Sequence, residues 1–311
     1  MDNRSLTKID IETILDKHSI GYQSVRTFTK SGQKAVFKIV CESKQIILKI
    51  YNVTPYYAIN QMEYEIYADA DELKVQKNEE IRILTLLIAR EVNASKKCPI
   101  FPKMIITKDI DEYRVGEHLY KYYFEELVDG ITMNNSRYYR EKNSISQIAY
   151  FLDAALELVK VMWENTYVHR DIKPSNIIID DEKVKFIDPG LAKSAYDETL
   201  TRTGMAMGTP RYWAPEQQEI QSNYNWTFKT DLYPLGLIAI EMFLPQFRRF
   251  SENELKDMQY VFDKWCEEDS SNRSKSFFRD IIIKLSADKI FRRASSIEDI
   301  QKKLGSFKDG E

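Results

Sequence analysis

Between His169 and Asn176 the chain reads H-R-D-I-K-P-S-N, which gathers an acid, three basic side chains and an amide into eight residues. Side chains of those types, so close together, could serve proton transfer and the handling of a charged group. An apolar segment with helical spacing, Ile145 to Val161, comes before them. After them come the β-branched run Ile177-Ile178-Ile179, the turn Asp180-Asp181-Glu182-Lys183, and Val184 to Ile187. That order predicts a helix, a loop carrying the chemistry, and a β-hairpin. The second strand ends in Asp188-Pro189-Gly190, and further on stands Gly208-Thr209-Pro210-Arg211-Tyr212-Trp213-Ala214-Pro215-Glu216. The plain alternative makes Asp171 and Asp188 ordinary turn acids, since Asp favours turns. Turn chemistry, however, does not demand Lys173 and Asn176 at those offsets.

Three such motifs in this order carry more weight than any one of them. At these residues the sequence resembles the eukaryotic-like Ser/Thr protein kinases, with hints of a bacterial member, over nearly the whole chain. The resemblance implies an α+β, bilobal fold. A small antiparallel N-lobe sheet with one main helix would occupy residues 1–128, and a larger, mainly helical C-lobe residues 129–311. It also implies transfer of the γ-phosphoryl group of Mg²⁺-bound ATP to Ser or Thr hydroxyls of a protein substrate. Phosphoryl transfer has a loose transition state, so the protein mainly positions reactants and neutralises charge. By the resemblance, Asp171 would accept the proton of the attacking hydroxyl and Lys173 would sit near the γ-phosphate. Asn176 and Asp188 would offer oxygens to Mg²⁺, a hard cation that prefers such ligands.

Upstream, Val25–Phe28, Ala35–Val40 and Gln45–Tyr51 are predicted strands, preceded by a short helix around Ile9 to Leu15. In the family the first turn is a Gly-rich loop over the ATP phosphates. Here the usual glycine positions hold Thr29, Ser31 and Lys34, and Gly32 stands one place off. The resemblance places Gly32, Val36 and Ile178 against the nucleotide. Within Ile47-Leu48-Lys49-Ile50, Lys49 would grip the α- and β-phosphates, although an exposed edge-strand lysine is the plain reading. Ile47 replaces a usually small Ala and should narrow the pocket. Residues 51–77, rich in Tyr and acids, read as an insert with its own short helix near Ile59, Met62 and Ile66, either solvated or a partner surface. A helix follows from Glu79 to about Val92. Glu80 is the expected partner of Lys49, because Leu84 and Leu87 share its face, and Glu79 is the second choice. Strands at Lys103–Thr107 and His118–Val128 lead to a hinge in which backbone groups of Glu126 and Val128 would meet adenine. Glu125 would stand at the back of that pocket.

Past Asp188, Thr199-Leu200-Thr201-Arg202-Thr203-Gly204 resembles a stretch that is autophosphorylated in this group, with Arg170 as the phosphate's partner. Thr209 with Lys173 points to Ser/Thr substrates. Glu216 should pair with Arg293, and Asp231 should brace the loop around Asp171. Pro189 stands where the family usually has Phe. A pseudokinase switch is the first rival, favoured by the poor Gly-rich loop, Ile47, Glu125 and Pro189. A small-molecule kinase is the second, opposed by the Ala214-Pro215-Glu216 segment.

Composition bounds these readings. A chain of 311 residues can hold two lobes with separate cores. A formal net charge of −3 argues against a general nucleic-acid binder. Cys41, Cys98 and Cys266 show no Cys-x-x-Cys spacing, which favours a reducing, cytoplasmic setting over a disulfide framework. The N-terminus lacks an apolar leader, and no apolar run approaches a membrane span, so no membrane partner is expected. Oligomeric state is left open.

Overall fold

The computed structural model describes residues 6–30, 34–54, 70–181, 183–189, 193–194, 210–218, 226–251, 254–255 and 257–309. The chain divides into two compact units, Met1–Leu127 and Val128–Glu311.

The first unit is a six-stranded antiparallel sheet built from β1 (Ser24–Lys30), β2 (Lys34–Val40), β3 (Gln45–Asn52), β4 (Met104–Ile105), β5 (Asp111–Val115) and β6 (His118–Glu126). The strands run β1-β2-β3-β6-β4, with β5 also paired to β6. Because side chains alternate along a strand, the register fixes which residues share a face. Ala35, Phe37 and Ile39 lie opposite Ile50, Leu48 and Ile46, and Leu48 lies opposite Phe124. This apolar face is covered by helix α1 (Lys8–Lys17), whose Ile11, Ile14 and Leu15 complete one buried cluster. A capping box starts α1, in which Thr7 and Asp10 satisfy each other's backbone N–H. The opposite face carries Val36, Lys49 and Tyr123 in one row and Lys34 beside Tyr51 in the next. Helix α2 (Ala70–Lys97) packs its Leu84, Ile88 and Val92 into a second cluster with Val53, Leu119 and Tyr123.

Two expectations change here. Helix α2 begins at Ala70, so residues 70–77 belong to it and not to an insert. Nothing between Ala70 and Lys97 is Gly or Pro, and Lys96 and Lys97 in the last turn suit the negative helix end. The expected helix near residues 59–66 lies outside the described residues, as does Gly32. Strand β5, Asp-Glu-Tyr-Arg-Val, was not expected, because a polar edge strand lacks apolar alternation.

In the second unit, α3 (Ile145–Glu164) starts with a capping box between Ser144 and Gln147 and buries Ile148, Leu152, Leu156 and Val159. The hairpin β9 (Ile177–Asp180) and β10 (Lys183–Phe186) follows, with β7 (Ile131–Thr132) on its other edge and β8 (Tyr167–Val168) earlier in the chain. Gly130 is required next to β9. Its φ is +118°, and an added Cβ would lie 2.5 Å from the Ile179 carbonyl oxygen. Helix α4 (Phe228–Phe243) begins before Pro234 and runs through it. Fourteen of its residues are buried, so packing outweighs the lost hydrogen bond. Among the described residues no helix is long and apolar enough to cross a membrane, and all three cysteines are free thiols.

Candidate active site

The predicted loop is held at its centre by a buried acid from α4. Both Asp231 carboxylate oxygens accept backbone hydrogen bonds, from the His169 N–H at 2.8 Å and the Arg170 N–H at 2.9 Å. Burial pushes the Asp231 carboxyl above its ordinary range, and the neighbouring His169 and those N–H groups work against it. Arg170 adopts φ +67° and Asp188 φ +64°, a region that non-glycine residues rarely occupy and that recurs at functional sites.

Asp171 sits in this braced loop. Its Oδ2 accepts from Lys173 Nζ at 2.8 Å and from Asn176 Nδ2 at 2.9 Å. Asn176 Nδ2 also donates to the Asp171 carbonyl at 2.9 Å, and the Asn176 carbonyl accepts from the Ile187 N–H at 3.0 Å. The sequence thus brings Asp171, Lys173 and Asn176 into one hydrogen-bonded group, and a backbone bond ties that group to the residue before Asp188. Pro189 and Ile178 are buried. Gln217 Nε2 donates to the Arg170 carbonyl at 2.9 Å, so the segment near Glu216 also reaches the loop. Arg293 meets Glu216 with two parallel bonds of 2.7 and 2.8 Å, as expected of that pair. The Arg170 guanidinium lies 4.1 Å over the Trp226 ring. Thr199 to Gly204 and Thr209 lie outside the described residues.

In the first unit, Lys49 is buried, and its acid is Glu91 at 2.6 Å, not Glu80. Glu91 stands about three helical turns beyond Glu80 and on the same face, so the expected face was right and the turn was wrong. The second choice, Glu79, is bound to Arg82 at the surface. The Glu80 side chain lies outside the described residues. Two phenols missed in the sequence also bind Glu91: Tyr51 donates at 2.5 Å and Tyr123 at 2.6 Å. Strand alternation could have found them, because both lie two residues from Lys49 or Glu125 on the same face. Lys34 Nζ lies 3.5 Å from Glu91, and Glu125 lies 3.0 Å from Lys49 on its other side. The Glu126 backbone N–H donates to the Lys103 carbonyl at 2.9 Å, which leaves the Glu126 carbonyl as the group it can offer a ligand. Val128 opens the second unit, and Val36 lies beside Lys49 across the β2–β3 ladder.

The donor set fits a hard cation in the second unit. Asn176 Nδ2 is committed to two hydrogen bonds, so Oδ1 is the atom it can turn toward a metal, and Asp188 would supply a carboxylate. Among the described residues no cluster of three His, Cys, Asp or Glu exists to enclose an ion. A site of one amide and one carboxylate suits Mg²⁺, which keeps its waters and takes phosphate oxygens.

The protein kinase domain matches residues 54–304 of this chain. A probable serine/threonine-protein kinase pknA2 of Bifidobacterium longum is 37% identical over 118 residues, covering 38% of this chain and 15% of that protein. The serine/threonine-protein kinase PknA of Mycobacterium tuberculosis is 33% identical over 127 residues, 40% of this chain and 29% of its own. A Corynebacterium glutamicum PknA is 40% identical over 92 residues, 29% and 19% respectively. The chain therefore spans less than a third of the length of these relatives.

Proposed function

Because the chain belongs to the protein kinase family, we propose that it transfers the γ-phosphoryl group of ATP to serine or threonine hydroxyls of protein substrates. The observation that carries this reading is Asp171, whose Oδ2 takes hydrogen bonds from Lys173 and Asn176 inside a loop pinned by Asp231. Those bonds fix the orientation of the carboxylate, so it can receive a hydroxyl proton without first reorganising. Lys173 holds its ammonium beside the same carboxylate, where it neutralises charge on a transferring phosphoryl group. Lys49, set by Glu91, grips the nucleotide phosphates, and the Glu126 carbonyl and Val128 N–H meet the adenine. Asn176 Oδ1 and the Asp188 carboxylate hold Mg²⁺. When bound, the metal neutralises phosphate charge and orients the phosphoryl group.

The names of the bacterial relatives support Ser/Thr over Tyr as acceptor. Autophosphorylation of Thr201 and Thr203 would regulate the enzyme. Arg170, whose guanidinium lies over the Trp226 ring, is the side chain of the right charge to receive that phosphate. The free thiols favour a cytoplasmic setting.

The test is incubation of the purified chain with labelled ATP, Mg²⁺ and a generic protein substrate, beside Asp171→Asn. Label should enter serine and threonine in the wild type and not in the variant. Nucleotide binding without any transfer would mark the chain as a nucleotide-dependent switch.

A further inference from the structure

Lys49 lies between two buried carboxylates that are satisfied very differently. Glu91 takes hydrogen bonds from Lys49, Tyr51 and Tyr123. Glu125 is 4% exposed, and its Oε2 is 3.0 Å from the ammonium. That oxygen has no hydrogen-bond partner among the described residues. The charged and titratable groups around it are Lys49 and Tyr51 from β3, Glu91 from α2, Lys34 from β2 and Tyr123 from its own strand. On the β4 side its neighbour is Met104, which carries no charge.

We propose that Glu125 is a positioning residue for Lys49, a second carboxylate whose ionisation sets how freely the ammonium can be given to an anionic ligand. The inference rests on the reading of Lys49 as a phosphate-binding residue. With Glu125 ionised, its charge lies 3.0 Å from the Lys49 ammonium and competes for it with an incoming polyphosphate. With Glu125 protonated, that competing charge is gone and the ammonium is more readily given to the ligand. Phosphate binding and protonation of Glu125 therefore favour each other, and this coupling is reciprocal. Burial, opposed by the Lys49 ammonium and reinforced by Glu91, pushes the Glu125 carboxyl up to about 7, so both forms are populated near neutrality.

The experiment measures the Kd of MgATP by displacement of a fluorescent nucleotide, between pH 6 and pH 8, for wild type and Glu125→Gln. Gln stands in for the neutral acid with the same shape. The nucleotide's own phosphate ionisation is common to both proteins and cancels in the comparison. The wild-type Kd should rise about tenfold more than that of the variant over this range. A parallel thermal-unfolding series without nucleotide checks the titration itself. A folded-state value raised above the ordinary carboxylate range means stability present at low pH and lost as pH rises toward 7, then level. Glu125→Gln should lack that loss. Parallel Kd slopes, or parallel unfolding profiles, overturn the proposal. No nucleotide binding by the wild type at any pH would overturn the ATP reading and this role with it, a result distinct from binding with parallel slopes.

Discussion

Replacing Glu91 by Leu removes the acceptor of three donors at once, two of them, Lys49 and Tyr123, buried and Tyr51 half-buried. Lys49, with its side chain 5% exposed, loses its partner at 2.6 Å and retains Glu125 at 3.0 Å. The Tyr51 and Tyr123 hydroxyls lose bonds of 2.5 and 2.6 Å. Breaking a buried ion pair by deleting one partner costs about 3–5 kcal/mol, and a buried hydroxyl left without its acceptor adds about 1–3 kcal/mol. The terms overlap within one network, and Glu125 returns part of the loss, so about 4 kcal/mol is expected. For a unit the size of Met1–Leu127 this lowers Tm by roughly 15 °C. In assays well below that transition, Glu91→Gln should lower kcat/KM at least ~100-fold, because Lys49 is no longer fixed. Glu80→Leu should leave both readouts nearly unchanged. The reasoning fails if Glu80→Leu costs as much as Glu91→Leu, or if Glu91→Leu costs under about 1 kcal/mol in urea unfolding.

Asp171→Asn should reduce phosphoryl transfer by at least ~1,000-fold while the nucleotide Kd stays within about twofold, as read by single-turnover kinetics and nucleotide titration. Glu216→Ala should destabilise by about 3 kcal/mol, at the low end for a buried pair, since Arg293 keeps the carbonyls of Ala287, Lys229 and Asp288. The check is a chemical unfolding curve of Glu216→Ala beside Arg293→Met and the double variant. A double variant less stable than both singles together would contradict the pairing. Gly130→Ala should cost about 2 kcal/mol or more, because the new Cβ meets the Ile179 carbonyl at 2.5 Å in a backbone conformation that L residues resist. Thermal unfolding of that variant within a degree of wild type would refute the clash.

The second unit was legible because its chemistry is local in sequence. Asp171, Lys173 and Asn176 are close enough along the chain that residue types and spacing nearly determine their contacts, and Asp231 and Arg293 arrive with motifs of their own. The first unit was not, because its chemistry crosses the fold. Helical periodicity repeats after eleven residues almost in phase, so it marks the face of α2 that meets the sheet and cannot say which turn does. That choice is made by Leu84, Ile88 and Val92 seating against Val53, Leu119 and Tyr123, contacts that no local pattern encodes. Strand β5 stayed hidden for a related reason: its residues are chosen for an edge and for partners such as Lys17 and Lys121, not for a core.

The unusual acid at Glu125 was visible in the sequence as an oddity, but its meaning depends on register. Only with Ile47 opposite Glu125, and Lys49 opposite Tyr123, do two carboxylates flank the ammonium while two phenols bind one of them. A buried ionic cluster of this kind adds little net stability over apolar packing of the same volume. Its effect is on placement. Glu91, tied to two strands through Tyr51 and Tyr123, fixes where the lysine sits relative to both the helix and the sheet. Glu125, whose Oε2 faces the ammonium at 3.0 Å, acts on how tightly the lysine is held there. The first of these should respond to deletion of hydrogen-bond donors and the second to pH. Tyr51→Phe with Tyr123→Phe ought therefore to weaken the lysine's alignment at every pH, whereas Glu125→Gln ought to change only how it varies with pH.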